Sequence, residues 1–203
     1  MSLLFEKDRV PSSIDAAFMD RLKQIHAAMD SAYHRAAEHY GFFCDGCRDI
    51  CCRTRFYHHT IIEYAYLIEG FKTLNPAKQN EVKSRAVAVV DETARADQSG
   101  AGVRLMCPLN FDDLCILYPY RPMICRLHGI PNTLRRPDGR ILTGPGCDDY
   151  YLQCGSADGA PLDRTPLYAA MADIERRLRD RLGFNSKIKL TVARMILEDS
   201  VAL

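Results

Sequence analysis

Residues 44–52 read CDGCRDICC, which puts four of the chain's nine cysteines (Cys44, Cys47, Cys51 and Cys52) into nine positions. Three chemistries fit such density: a redox pair, a metal cage, or a crowded piece of core. The remaining cysteines, Cys107, Cys115, Cys125, Cys147 and Cys154, also lie in or beside stretches that lack helical periodicity. A cysteine used only as a small hydrophobe belongs within a helical stripe, so this placement favours ligation. A thiolate-bound ion needs three or four sulfurs at about 2.3 Å, and a short turn brings two of them together at little entropic cost. The CDGC turn can do this, because Gly46 is free to take a positive φ. Ligands distant in sequence then tie a loop-rich middle to the rest of the chain, and binding energy becomes folding energy.

The competing readings are weaker. The CxxC pair does not follow a strand of a βαβ unit, the setting of a thioredoxin-like redox motif. Nine cysteines cannot all pair as disulfides within one chain. The opening MSLLFEKDRV carries Glu6, Lys7, Asp8 and Arg9 directly after a short apolar run, which leaves no secretory apolar region. The expectation is therefore a cytoplasmic protein with reduced thiols, and no run approaches the length needed to span a membrane. With 27 basic and 26 acidic residues the net charge is +1, which argues against a nucleic-acid surface. The only candidate contacts of that kind are RTRF at 53–56 and LRRPDGR at 134–140.

Outward from the cluster, the periodicity is helical. Ile14, Phe18, Leu22, Ile25, Met29, Tyr33 and Ala36 mark one face of a helix over 12–40, with Ser12 and Asp15 as a capping box and Gly41 as its stop. Thr60 and Glu63 signal a second start, and Asn75-Pro76 a third that runs to about Asp97 before SGAG. VRLMC and LCIL, separated by NFDD, predict a small hairpin within 103–117. Leu167, Met171, Ile174, Leu178 and Leu182 give a helix from a Thr165 cap to Gly183, and the tail from Ile188 reads as a further helix or a strand. The fold class is thus mainly α: one domain over 1–203, with N- and C-terminal helices packed around a cysteine-rich, loop-rich metal-binding middle at about 42–156 and a small β-hairpin.

The motifs CDGCRDICC, CPLNFDDLC and ILYPYRPMICRLHGIPN closely resemble the YkgJ-like cysteine-cluster family, described as zinc- or iron-chelating domains. The family's pattern is CxxCxxxCC, a later Cys-Pro, and an Ile-Tyr-like step before Arg-Pro-x-x-Cys-Arg; the matching residues are Cys44, Cys47, Cys51, Cys52, Cys107, Pro108, Cys115, Tyr118, Arg121, Pro122, Cys125 and Arg126. The resemblance covers roughly 42–131. Leu117, between Ile116 and Tyr118, departs from it, and Cys147 and Cys154 lie beyond it. What the resemblance implies is metal binding; some members carry an iron–sulfur oxidoreductase label, and a similar cluster accompanies flagellin lysine methylation enzymes.

All nine cysteines are candidate metal ligands. Zinc is the favoured ion, with iron or an iron–sulfur cluster as the alternative, since thiolates suit both. Adjacent Cys51 and Cys52 are expected to diverge, and so to serve different metals or to leave one thiol free. His128, three residues after Cys125, is a candidate substitute ligand, whereas His26, His34, His58 and His59 read as exposed or capping residues. Thiolate charge calls for nearby cations, and among Arg48, Arg53, Arg55, Arg121 and Arg126 the pair flanking Cys125 is the best placed. Two functions follow: a metal-stabilised binding or metal-handling module with a protein partner, or a metal-dependent enzyme using an open coordination position with Asp45, Asp148 or Asp149 nearby.

Overall fold

A computed structural model describes residues 14–44, 51–155 and 159–198. Helix α1 (Ala16–Tyr40) starts at Asp15, whose carboxylate accepts the Ala17 N–H, and stops at Gly41 in the left-handed region with φ 65°. Asp15 is the cap itself, and Ser12 lies outside the described residues. Met19, Leu22, Ile25 and Met29 form the buried face of α1, and His26, one turn beyond Leu22, joins it rather than facing solvent.

Helix α2 (Ile61–Lys72) begins at Thr60, but no capping box forms. The Ile61 and Ile62 N–H groups donate instead to Glu175 at 2.9 and 3.2 Å, and the Glu63 carboxylate takes the Thr60 hydroxyl and, with its other oxygen, the Met123 N–H at 2.5 Å. A local signal has been put to a long-range use. Helix α3 (Pro76–Ser99) has the expected Asn75 cap on Lys78 N–H and ends at Gly100.

The hairpin forms at β1 (Asn110–Phe111) and β2 (Leu114–Cys115), turning through Asp112 and Asp113 with φ 50° and 63°. Both angles are positive, as a two-residue mirror-image turn requires, and aspartate tolerates them better than most side chains. Residues 103–107 are not a strand, because the Cys107 N–H is committed to the Cys52 carbonyl at 2.7 Å.

Short elements follow: α4 (Met123–Arg126), β3 (Asn132–Arg135), β4 (Ile141–Gly144), α5 (Asp148–Cys154) and β5 (Leu162–Asp163). Strand β3 pairs antiparallel with β4 and parallel with β5, a three-stranded sheet additional to the expected hairpin. Helix α6 (Thr165–Leu182) closes at Gly183 as expected, but the Thr165 hydroxyl accepts from Arg135 N–H and the cap position falls to Arg164. The tail resolves into α7 (Val192–Glu198), preceded by a single antiparallel bridge between Leu190 and the buried His58.

The core lies between α1, α6 and α2, with α7 against α3. The irregular middle contributes Leu109, Leu117, Leu127 and Ile130, all at most 2% exposed, so it is pinned by its own apolar residues. It is also stitched by buried cations. Arg126 donates to the Arg121 and Pro119 carbonyls and pairs with Asp30 of α1 at 2.8 Å, while Arg164 donates to the Leu127 carbonyl. No helix among the described residues is long and apolar enough to cross a membrane.

Candidate metal centre

Seven of the cysteines open onto one cavity of about 920 Å³: Cys44, Cys51, Cys52, Cys107, Cys115, Cys125 and Cys147. They arrive from several separate segments of the chain. Cys44 follows the α1 stop, where buried Phe42 turns the chain inward. Cys51 and Cys52 sit in a 3₁₀ turn at Cys51–Arg53, and the Cys52 carbonyl holds Cys107. Cys115 stands on β2 opposite Asn110. Cys125 rides on α4, whose first N–H is fixed by Glu63. Cys147 caps α5 with its sulfur, which accepts the Tyr150 N–H at 3.4 Å, and its own N–H reaches the Gly129 carbonyl at 3.0 Å. A Cβ on Gly129, at φ 112°, would lie 3.0 Å from the Tyr33 hydroxyl and 3.7 Å from the Cys147 sulfur, so this backbone approaches as closely as only glycine allows.

The structure does not bring all nine candidates together. Cys154, at the end of α5, does not line the cavity; it packs against the core in the field of Tyr150. Cys47, with Arg48 and Asp45, lies outside the described residues. All eight described cysteines are free thiols. Cys51 and Cys52 do not diverge: their thiols hydrogen-bond to each other and face the same space.

The electrostatics follow from burial and mutual contact. Burial is the first cause that pushes the Cys125 and Cys115 thiols up, Cys115 to about 11. Cys52 moves the opposite way, because the Cys107 and then the Cys51 thiol donate to its sulfur, and those two donors are pushed up in turn. Burial also raises Cys44 and Cys147. Arg121, half-buried, bears on Cys44, Cys52, Cys115 and Cys125, lowering each. Its guanidinium lies 3.4 Å over the Tyr118 ring. Arg126 is spent on Asp30 and two carbonyls, and Arg55 on Asp97 at 2.6 and 2.7 Å. Of the two arginines flanking Cys125, Arg121 faces the sulfurs and Arg126 holds the loop.

Two polar groups missed by sequence reasoning complete the wall. The Asn110 side-chain nitrogen and the Tyr33 hydroxyl are buried without a nitrogen or oxygen partner, and they reach Cys52 and Cys44 respectively. A buried donor left unpaired costs about 1–3 kcal/mol, and a cysteine sulfur is the acceptor each of these faces. Tyr33 is one of the helical stripe residues; nothing in its spacing distinguishes it from core. Asn110 is legible only in hindsight, as an amide inside a cysteine-bounded hairpin.

His128 lies half-buried at the cavity with its ring edge on Phe56, centroids 5.2 Å apart. Asp148 and Asp149 occupy the first turn of α5, where carboxylates favour a helix start. Among the described residues, no three Cys, His, Asp or Glu side chains stand close enough to hold one ion as they are. The donor set nevertheless suits a thiophilic cation: soft sulfurs, all but Cys52 pushed up by burial or by donating to it, side-chain donors aimed at Cys44 and Cys52, and a guanidinium to offset thiolate charge.

No family model, curated protein or solved structure matches this chain. The likeness to the YkgJ-like family rests on the cysteine motifs alone.

Proposed function

We propose that this chain is a metal-binding cysteine-cluster protein of the YkgJ-like kind, built as a binding or metal-handling module. The observation that carries the reading is the convergence of seven cysteines, spread from Cys44 to Cys147, on one cavity. Zinc is the favoured ion, with iron or an iron–sulfur cluster as the alternative. Cys52, Cys107, Cys115 and Cys125, with Cys51 beside them, form the first group of candidate ligands; Cys44 and Cys147, around Tyr33, form a second, and Cys47 belongs with the cluster by sequence. Bound metal removes the thiol protons that burial retains and fastens the irregular middle to α1. The module reading carries with it a reducing, cytoplasmic setting and a protein partner that the module would bind.

The cavity volume favours one second reading, a metal-dependent enzyme whose substrate occupies the space beside the sulfurs, including the group-transfer chemistry linked to protein lysine methylation. Elemental analysis with an absorption spectrum of anaerobically purified protein decides among these. Colourless protein with stoichiometric zinc supports the module, visible thiolate-to-iron bands support the enzyme, and absence of both metals overturns metal binding.

A further inference from the structure

The cavity has a second wall that the cysteines do not use. Val89, Val90 and Ala94 of α3 face it, with Leu105 and Val192 completing an apolar surface. Its rim carries large apolar side chains in water: Tyr118 is 56% exposed and Leu114 64%. Exposed groups of this kind, gathered around one opening, mark a binding site more often than chance packing. A volume of about 920 Å³ falls in the range that holds one organic molecule and is small for a folded partner.

The charge of the lining is uneven. Asp30 and Asp97 are paired with Arg126 and Arg55. Among the described lining residues, Arg53, Arg121, Lys189 and Arg194 have no carboxylate partner, against one such acid, Asp113. In a chain of net charge +1 this is a local concentration of positive charge. Lys189 and the Asp97-paired Arg55 also lie over the Tyr57 ring, at 4.4 and 5.4 Å, so cations and an aromatic face share this lining. An apolar wall beside unpaired cations, in a space partly shielded from water, complements a molecule that is apolar along its length and acidic at one end.

We propose that this cavity binds a small amphipathic organic anion, its apolar body on the α3 wall and its acid group at Lys189 and Arg194. The anion shares the cavity with the sulfurs but uses a wall that carries none of them, so its contacts need no bound metal.

The probe is 8-anilinonaphthalene-1-sulfonate, titrated into the full-length native protein. The expected result is one saturable site, lost in unfolding urea, weakened several-fold between 50 and 500 mM salt in keeping with screening of exposed charge, and displaced by dodecanoate or by 1-naphthoate. Displacement by dodecanoate alone assigns an acyl chain, and by 1-naphthoate alone an aromatic acid; either sustains the site. Lys189→Glu with Arg194→Glu should weaken binding about tenfold, and Ala94→Trp should abolish it by filling the wall. All three positions are exposed, so circular dichroism and urea midpoints should match the parent. No saturable binding, equal binding of the uncharged N-phenyl-1-naphthylamine, or indifference to both variants overturns the proposal. Metal content measured on the same samples separates it from the metal reading: dye binding without metal sustains this site, and metal without dye binding overturns it.

Discussion

The Glu63 carboxylate accepts the Met123 N–H at 2.5 Å, across sixty residues of sequence, and so fixes the first turn of the helix that carries Cys125. Glu63 is 4% exposed, and burial raises its pKa against the opposing hydrogen bonds from Thr60 and Met123. Replacing it with alanine leaves a partly buried N–H and a partly buried hydroxyl without their acceptor. Glu63→Ala is expected to cost about 1–3 kcal/mol in urea unfolding and to lower metal retention, while leaving α6 helicity intact. Unchanged stability would show that α4 is held by other means.

Arg126 links the same loop to α1 through Asp30. Arg126→Met keeps the apolar stem but abandons two carbonyls and a carboxylate, at an expected cost of roughly 3 kcal/mol. Arg121→Met, by contrast, should cost less stability and act mainly on metal affinity, because its guanidinium bears on four thiols and makes a single exposed backbone bond, to the Tyr118 carbonyl at 3.0 Å. Unfolding curves and zinc competition on both variants separate the two roles.

Gly70 shows how the turn before Arg121 is seated. A Cβ there would collide with the Tyr120 ring, which also packs tilted against Tyr66 with centroids 4.9 Å apart. Gly70→Ala is expected to destabilise by about 1–3 kcal/mol through overpacking. Adding Tyr120→Ala should make the glycine change nearly harmless, a coupling that a double-mutant cycle reads directly.

Two buried histidines set the acid limit. Burial, first of all, lowers His26 to about 3 and His58 to about 4, so both stay neutral in the folded chain at a pH where the unfolded chain protonates them near 6.5. Their depressed values mean stability is intact above about pH 6.5 and falls as pH drops from there toward 4, by about 1.4 kcal/mol per unit for each histidine. His26→Leu should flatten the fall by one such increment in urea midpoints taken at pH 7, 6 and 5; an unaltered slope would contradict the assignment.

Much of this was legible from local signals. The Asn75-Pro76 start, the Gly41, Gly100 and Gly183 stops, and the apolar stripes of α1 and α6 are satisfied within a few residues, so sequence spacing carries them. The Thr60–Glu63 start is where α2 begins, but the use of its acid by a segment sixty residues away is encoded by no local pattern. The β3–β4–β5 sheet escaped for the same reason: β5 pairs in parallel with β3 across the whole of α5. His26 carried a readable sign, sitting four residues after Leu22 on the buried face. The gathering of cysteines follows from their clustering in loops. The separation of Cys154 and the mutual contact of Cys51 and Cys52 depend on how α5 and a 3₁₀ turn point their side chains.

The central claim is that cysteine sulfurs hold a metal at the cavity, and X-ray absorption at the metal edge of anaerobically purified protein tests it most directly. The account predicts a stoichiometric ion with a first shell dominated by sulfur at about 2.3 Å, diminished when Cys52→Ser and Cys125→Ser are combined. A protein without stoichiometric metal, or one whose metal has only nitrogen and oxygen neighbours, would contradict it.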